Sequence, residues 1–240
     1  MKPQTYKKNL IVPLASSHVG LALIQHLFGE AAFSHAQLLG YGDEVMNAQH
    51  LIWVVSRLCV EITALPNPGE SVWIETWPNP HDLLGVKRQY VMTDSQGKPL
   101  CQGEALWCVL DKDSGRLMRT QGLTFLADDA WLRQDTASEL VHTTRLVKPL
   151  LENTRQTSVV PTDADIDKND HVNNVVYTDW ILQSIALKKP RIYRINFLHQ
   201  VRLGDTIQLE IIESSTSVYV SGVILAPDAF PTAFVASIEL

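Results

Sequence analysis

Apolar positions along the chain follow two rhythms. From Val172 onward Val172, Val175, Val176, Trp180, Ile181 and Ile185 recur at three- and four-residue steps, the period of a helix with one buried face. Lys188, Lys189 and Pro190 then close it, since cations suit a helix C-terminus and proline cannot continue one. A second helix is predicted over about Leu21 to Leu39, with Ile24, Leu27, Phe28, Ala31, His35 and Leu38 on one face and Gly40 as its stop. The other rhythm is two: in "DTIQLEIIE" Ile207, Leu209 and Ile211 alternate with Thr206, Gln208 and Glu210, which predicts a strand with one covered face.

These elements occur twice. "GESVWIE" (Gly69 to Glu75) answers "GDTIQLE" (Gly204 to Glu210), and "SRLCVEI" from Ser56 answers "YRINFLHQV" from Tyr193, each with an arginine ahead of an apolar run. Each half therefore reads as a short strand, one long helix, then antiparallel strands joined by turns such as "TDSQGKP" and "DKDSG". The fold class predicted is α+β, with two tandem modules, each an antiparallel sheet curled around one long helix. The predicted limits are 1–120 for the first module and 153–240 for the second. Between them a linker over 121–152 has weak periodicity and mixed polar residues.

Composition narrows the function classes. The start "MKPQTYKKNLIVPL" has no apolar core long enough for a signal peptide, and no stretch approaches the ~20 apolar residues of a spanning helix, so the location expected is cytoplasmic. Net charge of −6 argues against generic nucleic-acid binding. Cys59, Cys101 and Cys108 lie in apolar, strand-like contexts and read as buried reduced thiols with no part in chemistry.

Candidate chemistry concentrates in "DADIDKNDHVNN", Asp163 to Asn174, directly ahead of the second helix. Asp163, Asp165 and Asp167 fit positions 1, 3 and 5 of a calcium loop, but Lys168 stands where glycine must turn and Asn174 where a bidentate glutamate is needed. His171 has no second histidine or cysteine at a ligand-like spacing, so neither metal nor cofactor is expected. Capping the helix needs one or two such residues, not eight. Helix-terminal N–H groups can instead receive an oxyanion while a carboxylate and an imidazole handle water and protons. Aligning His18-Val19 with His171-Val172 sets Ser16 against Asn169, Leu14 against Asp167 and Val12 against Asp165. The first copy lacks the acids, which places the chemistry in the second half.

"DIDKNDHVNNVVYTDWILQS" resembles the helix-start segment of acyl-acyl carrier protein thioesterases, which are double-hotdog enzymes. "WVVSRLCVEI", "ETWP", "KRQYVMTDSQGKPL" and "ALWCVLDKDSGRLMR" are similar to that family's first hotdog, in the same order. The resemblance implies hydrolysis of fatty acyl-acyl carrier protein to free fatty acid and carrier thiol. Acyl-CoA hydrolysis and noncatalytic acyl binding are the alternatives. It makes Asp167, Asn169 and His171 catalytic, and "INFLHQVRLGD" sets Gln200 where the family has a further catalytic glutamate and Val201 where plant members often have cysteine. Asp167 is then the expected base or nucleophile, Asn169 holds the carbonyl or water, His171 serves the leaving thiolate, and Gln200 holds water without taking its proton. The implied partners are acyl carrier protein and a fatty acyl chain, with no nucleic acid and no membrane span; a homodimer is left open. The chain is expected to enter the first half near Leu23, Leu27 and Trp53. The acidic carrier is expected to meet cations among Lys87, Arg88, Arg145, Lys148, Lys188, Lys189, Arg191 and Arg194.

Overall fold

The computed structural model describes residues 4–14, 20–81, 83–123, 132–149, 154–186, 189–227 and 229–240. In chain order these form β1 (Tyr6–Ile11), α1 (Gly20–Leu38), α2 (Asp43–Ala48), β2 (Leu51–Ile62), β3 (Ser71–His81), β4 (Val86–Asp94) and β5 (Pro99–Asp111). The second half follows with β6 (Thr154–Val159), α3 (Asn174–Ser184), β7 (Ile192–Phe197), β8 (Ile207–Glu213), β9 (Ser217–Ile224) and β10 (Thr232–Glu239).

All strands join one antiparallel sheet in the order β1-β3-β4-β5-β2-β7-β10-β9-β8-β6. Read outward from the middle, β2-β5-β4-β3-β1 and β7-β10-β9-β8-β6 are the same path walked twice. The dyad between the halves passes through the pair Leu58↔Ile195, flanked by Arg57↔Asn196 and Cys59↔Arg194. Arg57 and Arg194, matched in the repeat, are thus equivalent by register. The "GESVWIE" and "GDTIQLE" signatures open β3 and β8, and their glycines sit at φ of +78° and +92°, a left-handed turn conformation that a side chain would strain. After each turn the alternating residues Val72 and Ile74, or Ile207 and Leu209, are fully buried.

Each half is a hotdog: a sheet wrapped around one helix. α1 buries Leu21, Leu23, Ile24, Leu27, Phe28 and Ala31, and α3 buries Val176, Tyr177, Trp180 and Ile181, in one continuous core. Full burial of such side chains stabilises by about 1.5–3 kcal/mol each. The two helices meet where Thr178 Oγ1 donates to Gln25 Oε1 at 2.7 Å. None of the helices among the described residues is long and apolar enough to cross a membrane.

Opposite the helices, residues 132–149 run over the other face of the sheet. Strand alternation turns Gln89, Glu104 and Asn196 to that side, away from core neighbours such as Tyr90, Ala105 and Ile195. Glu104 Oε1 accepts the Thr143 N–H and Oγ1 at 2.8 and 2.7 Å, and Asn196 Oδ1 accepts the Leu146 N–H at 2.8 Å. The remainder of the expected linker, 124–131 and 150–152, lies outside the described residues, as do Ser16, His18, Val19 and Lys188. Cys59, Cys101 and Cys108 are buried and form no disulfide with one another.

Candidate active site

The acidic segment resolves into separate jobs. A 3-10 turn, Asp163–Asp165, opens it, and Asp165 Oδ2 accepts the Thr162 N–H at 2.7 Å. An isolated bridge between Ile166 and Val172 closes the loop, with the Asp167 N–H on the His171 carbonyl at 2.7 Å. Asp170 makes the reversal at φ +60°, a conformation aspartate tolerates better than most side chains. Within this turn Asp167 Oδ1 accepts the N–H groups of Asn169 at 2.8 Å and His171 at 3.4 Å, while Oδ2 accepts Asn169 Nδ2 at 3.3 Å. Asp167 therefore fixes the loop that carries the other two candidates.

The helix begins two residues later than the periodicity predicts. Val172 is spent in the bridge, its N–H donating to the Val201 carbonyl at 2.9 Å, and Asn173 is the N-cap, its Oδ1 accepting the Val175 N–H at 3.1 Å. The Asn173 N–H goes to the Asp165 carbonyl. The expected group of oxyanion donors at the helix start thereby narrows to the Asn174 N–H, for which no acceptor occurs among the described residues. It also ends earlier than predicted, at Ser184, with Ile185 extended beyond it.

Asp167, Asn169, His171 and Gln200 line one cavity of 280 Å³, together with Asn174 and His199. His171 Nε2 is buried without a hydrogen-bond partner among the described residues. Desolvation, seconded by the charge of Arg202, lowers the pKa of His171 from its ordinary 6.5, so the neutral ring is favoured. A buried orphan nitrogen costs free energy until something meets it, and a ligand in the cavity is such a partner. Gln200 stands exposed on the loop after β7.

A second cavity, of 320 Å³, lies in the first half between α1, α2 and the sheet, lined by apolar residues including Ala32, Ala36, Leu39 and Met46. Ile52, Trp53, Trp107 and Asn169 line both cavities, so the polar site and the apolar one are neighbours that share these four side chains. Leu23 and Leu27 lie in the main core and do not line it; Trp53 does. Arg88 is also displaced from its expected surface place: it is buried, donates to His35 Nδ1 at 3.0 Å and lines the apolar cavity. Lys148 and Arg194 are paired with Glu210 and Glu239. Arg145, Lys189 and Arg191 are exposed. Sequence reasoning missed Lys112 and Lys168, which line the apolar cavity, and Arg202, whose charge reaches His171. It also missed His199, whose one signal was its place beside Gln200.

The fold is a double hotdog with a polar loop at the second helix, and the comparisons give the family. Sequence models of the acyl-ACP thioesterase N-terminal and C-terminal domains match residues 4–122 and 150–226. The chain is 32% identical over 205 residues to oleoyl-acyl carrier protein thioesterase 1 of Arabidopsis thaliana, covering 75% of this chain and 55% of that one. It is 31% identical over 182 residues to the palmitoyl-acyl carrier protein thioesterase of Gossypium hirsutum, covering 69% and 42%. The chain thus spans about half the length of these curated relatives. Among solved structures, an acyl-ACP thioesterase from Bacteroides thetaiotaomicron superimposes with a TM-score of 0.82 at 18% identity, covering 98% of this chain and 97% of that one. The 12:0-ACP thioesterase of Umbellularia californica gives 0.78 at 18% identity, covering 100% and 98%. The chain belongs to the acyl-ACP thioesterase family.

Proposed function

We propose that this protein hydrolyses the thioester of a fatty acyl group carried by acyl carrier protein, releasing free fatty acid and carrier thiol in the cytoplasm. The observation that carries this reading is the junction of the two cavities: a polar one with Asp167, Asn169, His171 and Gln200 shares four lining residues with an apolar one in the first half. A thioester has this two-part character, a reactive polar carbonyl at the end of an apolar chain. In this reading the first module, 1–120, holds the acyl chain and the second, 153–240, does the chemistry. The carbonyl oxygen faces the Asn174 N–H at the positive end of α3, where developing negative charge is favoured. Asp167 holds Asn169 and the loop in place. Asn169 contacts carbonyl or water, neutral His171 serves the departing sulfur, and Gln200 holds the water. Lys112 and Lys168, which line the apolar cavity, and Arg202, whose charge reaches His171, are the cations offered to an acidic carrier.

The test is thiol release from acyl carrier and acyl-CoA substrates over several chain lengths, at low and at physiological salt. With the carrier as substrate, kcat/KM falls as salt rises, because attraction between opposite charges is screened over a Debye length of ~8 Å at physiological strength. Faster, salt-insensitive turnover of acyl-CoA assigns the other thioester. Acyl binding without turnover of either leaves a noncatalytic binding protein, the outcome to which Gln200 in place of a carboxylate points.

A further inference from the structure

Hydrolysis by water needs a group that takes a proton from it, and the side chains so far assigned supply it poorly. Gln200 is an amide. Asp167 has both carboxylate oxygens engaged by the loop it shapes. His171 resists becoming an imidazolium, since burial and Arg202 both oppose its charge. Three further titratable side chains line the same cavity, Cys108, Tyr177 and His199. Cys108 and Tyr177 are buried, and burial pushes the Tyr177 pKa up to about 12, which leaves the exposed His199.

The backbone holds His199 in a defined way. The N–H groups of Leu198 and His199 both donate to the Ala233 carbonyl, at 2.8 and 3.1 Å. Ala233 lies at a register irregularity in β10, between Thr232 and Phe234, and such bulges redirect groups at the ends of ladders. The same irregular segment presents the Thr232 carbonyl 2.8 Å from His199 Nδ1. A carbonyl oxygen only accepts, so Nδ1 carries the hydrogen, and in the neutral ring the lone pair belongs to Nε2. Because His199 is exposed, water reaches it. An imidazole with Nδ1–H fixed by an acceptor and Nε2 left open is the arrangement a general base needs.

We propose that His199 is the general base of this enzyme, doing through Nε2 what the amide of Gln200 cannot. The assignment rests on the thioester-hydrolase reading above. Nε2 takes a proton from a water held by Gln200 as the water oxygen bonds to the thioester carbonyl carbon. The carbonyl π pair moves onto its oxygen, which faces the Asn174 N–H. When the carbonyl re-forms, the C–S bond breaks with its electron pair on sulfur, and the thiolate takes the proton from the His199 imidazolium. One water is consumed, and one carboxylic acid and one thiol are produced.

The test compares wild type, His199→Ala and His199→Asn on an acyl carrier thioester, with and without imidazole in solution. Loss of a general base lowers kcat by about 10²–10⁴-fold. Both variants should show that loss with unchanged melting temperatures, and imidazole should restore His199→Ala in a saturable way. His199→Asn separates positioning from proton transfer, because its amide N–H can still reach the Thr232 carbonyl but takes no proton. Wild-type turnover that survives in either variant overturns the inference and leaves the hydrolase reading standing. A loss in His199→Ala that imidazole does not restore also overturns it, assigning His199 to the loop's architecture. A wild type inactive on every acyl thioester overturns the hydrolase reading itself.

Discussion

The Val172 N–H donates to the Val201 carbonyl at 2.9 Å, and this bond ties the loop ahead of α3 to the loop after β7. On its other side the Val201 N–H donates to Tyr177 Oη at 3.2 Å, so α3 itself completes the clamp. Val201 is fully buried, and burial holds the Tyr177 phenol neutral, its pKa pushed up to about 12. Asp167, Asn169 and His171 on one loop are thereby held in one frame with His199 and Gln200 on the other.

Removing the Tyr177 hydroxyl tests that clamp. Tyr177→Phe leaves the Val201 N–H buried without an acceptor, and an orphaned donor of this kind costs about 1–3 kcal/mol. Urea denaturation should show that loss. Steady-state kinetics should show a lower kcat as the two loops lose their fixed separation. Wild-type stability would mean that the Val201 N–H has found another acceptor.

Asp167→Asn should lower kcat by about 10²-fold or more, the scale of misplacing reacting groups by an ångström, while the melting temperature changes little. The new amide turns an N–H toward an N–H, either that of Asn169 or its Nδ2, and the turn loosens. The aligned positions of the first half behave differently. Val12 is buried, so Val12→Ala removes core packing at roughly 0.8 kcal/mol per CH₂ and leaves kcat unchanged. Leu14 is 85% exposed, and its replacement by Ala should alter neither. Near-normal turnover in Asp167→Asn would sink its place in the site.

His171 links stability to pH in a definite direction. Its folded pKa lies below the ordinary 6.5, because desolvation and then Arg202 outweigh the attraction of Asp167 and Asp170. In the window below 6.5 the unfolded chain binds more protons than the folded one, so unfolding is favoured as pH falls. The contribution is fully present above 6.5 and is lost as pH falls through the folded pKa. Wild type should therefore lose more stability between pH 8 and pH 5 than His171→Asn does, read as the shift of denaturation midpoint in matched buffers. Equal losses would show that His171 titrates alike in both states.

What could be read from the chain was whatever local chemistry decides. Gly69 and Gly204 mark the same turn because both need a left-handed backbone, and Arg57 and Arg194 mark the same strand position; both pairs follow from repetition alone. α1, Gly20–Leu38, lies one residue from its predicted bounds because its apolar period is unbroken. The start of α3 was misjudged because Val172 continues the helical period yet spends its N–H on Val201, a partner distant in sequence. The same holds for Glu104 and Asn196, which direct the course of 132–149 through long-range hydrogen bonds. Leu23 and Leu27 differ from the cavity-lining Trp53 only in which neighbours surround them, and no spacing rule encodes that. His199 was invisible for a related reason: its tautomer is set by Thr232, on another strand.

Gln200→Glu distinguishes the two ways this site could handle water. If His199 takes the proton, a carboxylate at position 200 adds a second base where one already works, and kcat should gain only modestly. The new charge joins Asp167 across the cavity and stands beside His199, with His171, Tyr177, Cys108, Asp170 and Arg202 among the other titratable or charged groups there. Negative charge favours the protonated form of a nearby carboxyl or imidazole, so whichever group must be deprotonated for catalysis acquires a higher pKa. The acid limb of the kcat/KM profile should therefore move to higher pH, a direction that full pH profiles of both proteins can read. A large gain with the acid limb unmoved would mean that the glutamate itself takes the proton, unassisted by His199. Combining Gln200→Glu with His199→Ala then reads the glutamate by itself: recovery above His199→Ala alone measures how far a carboxylate at position 200 takes the proton without His199.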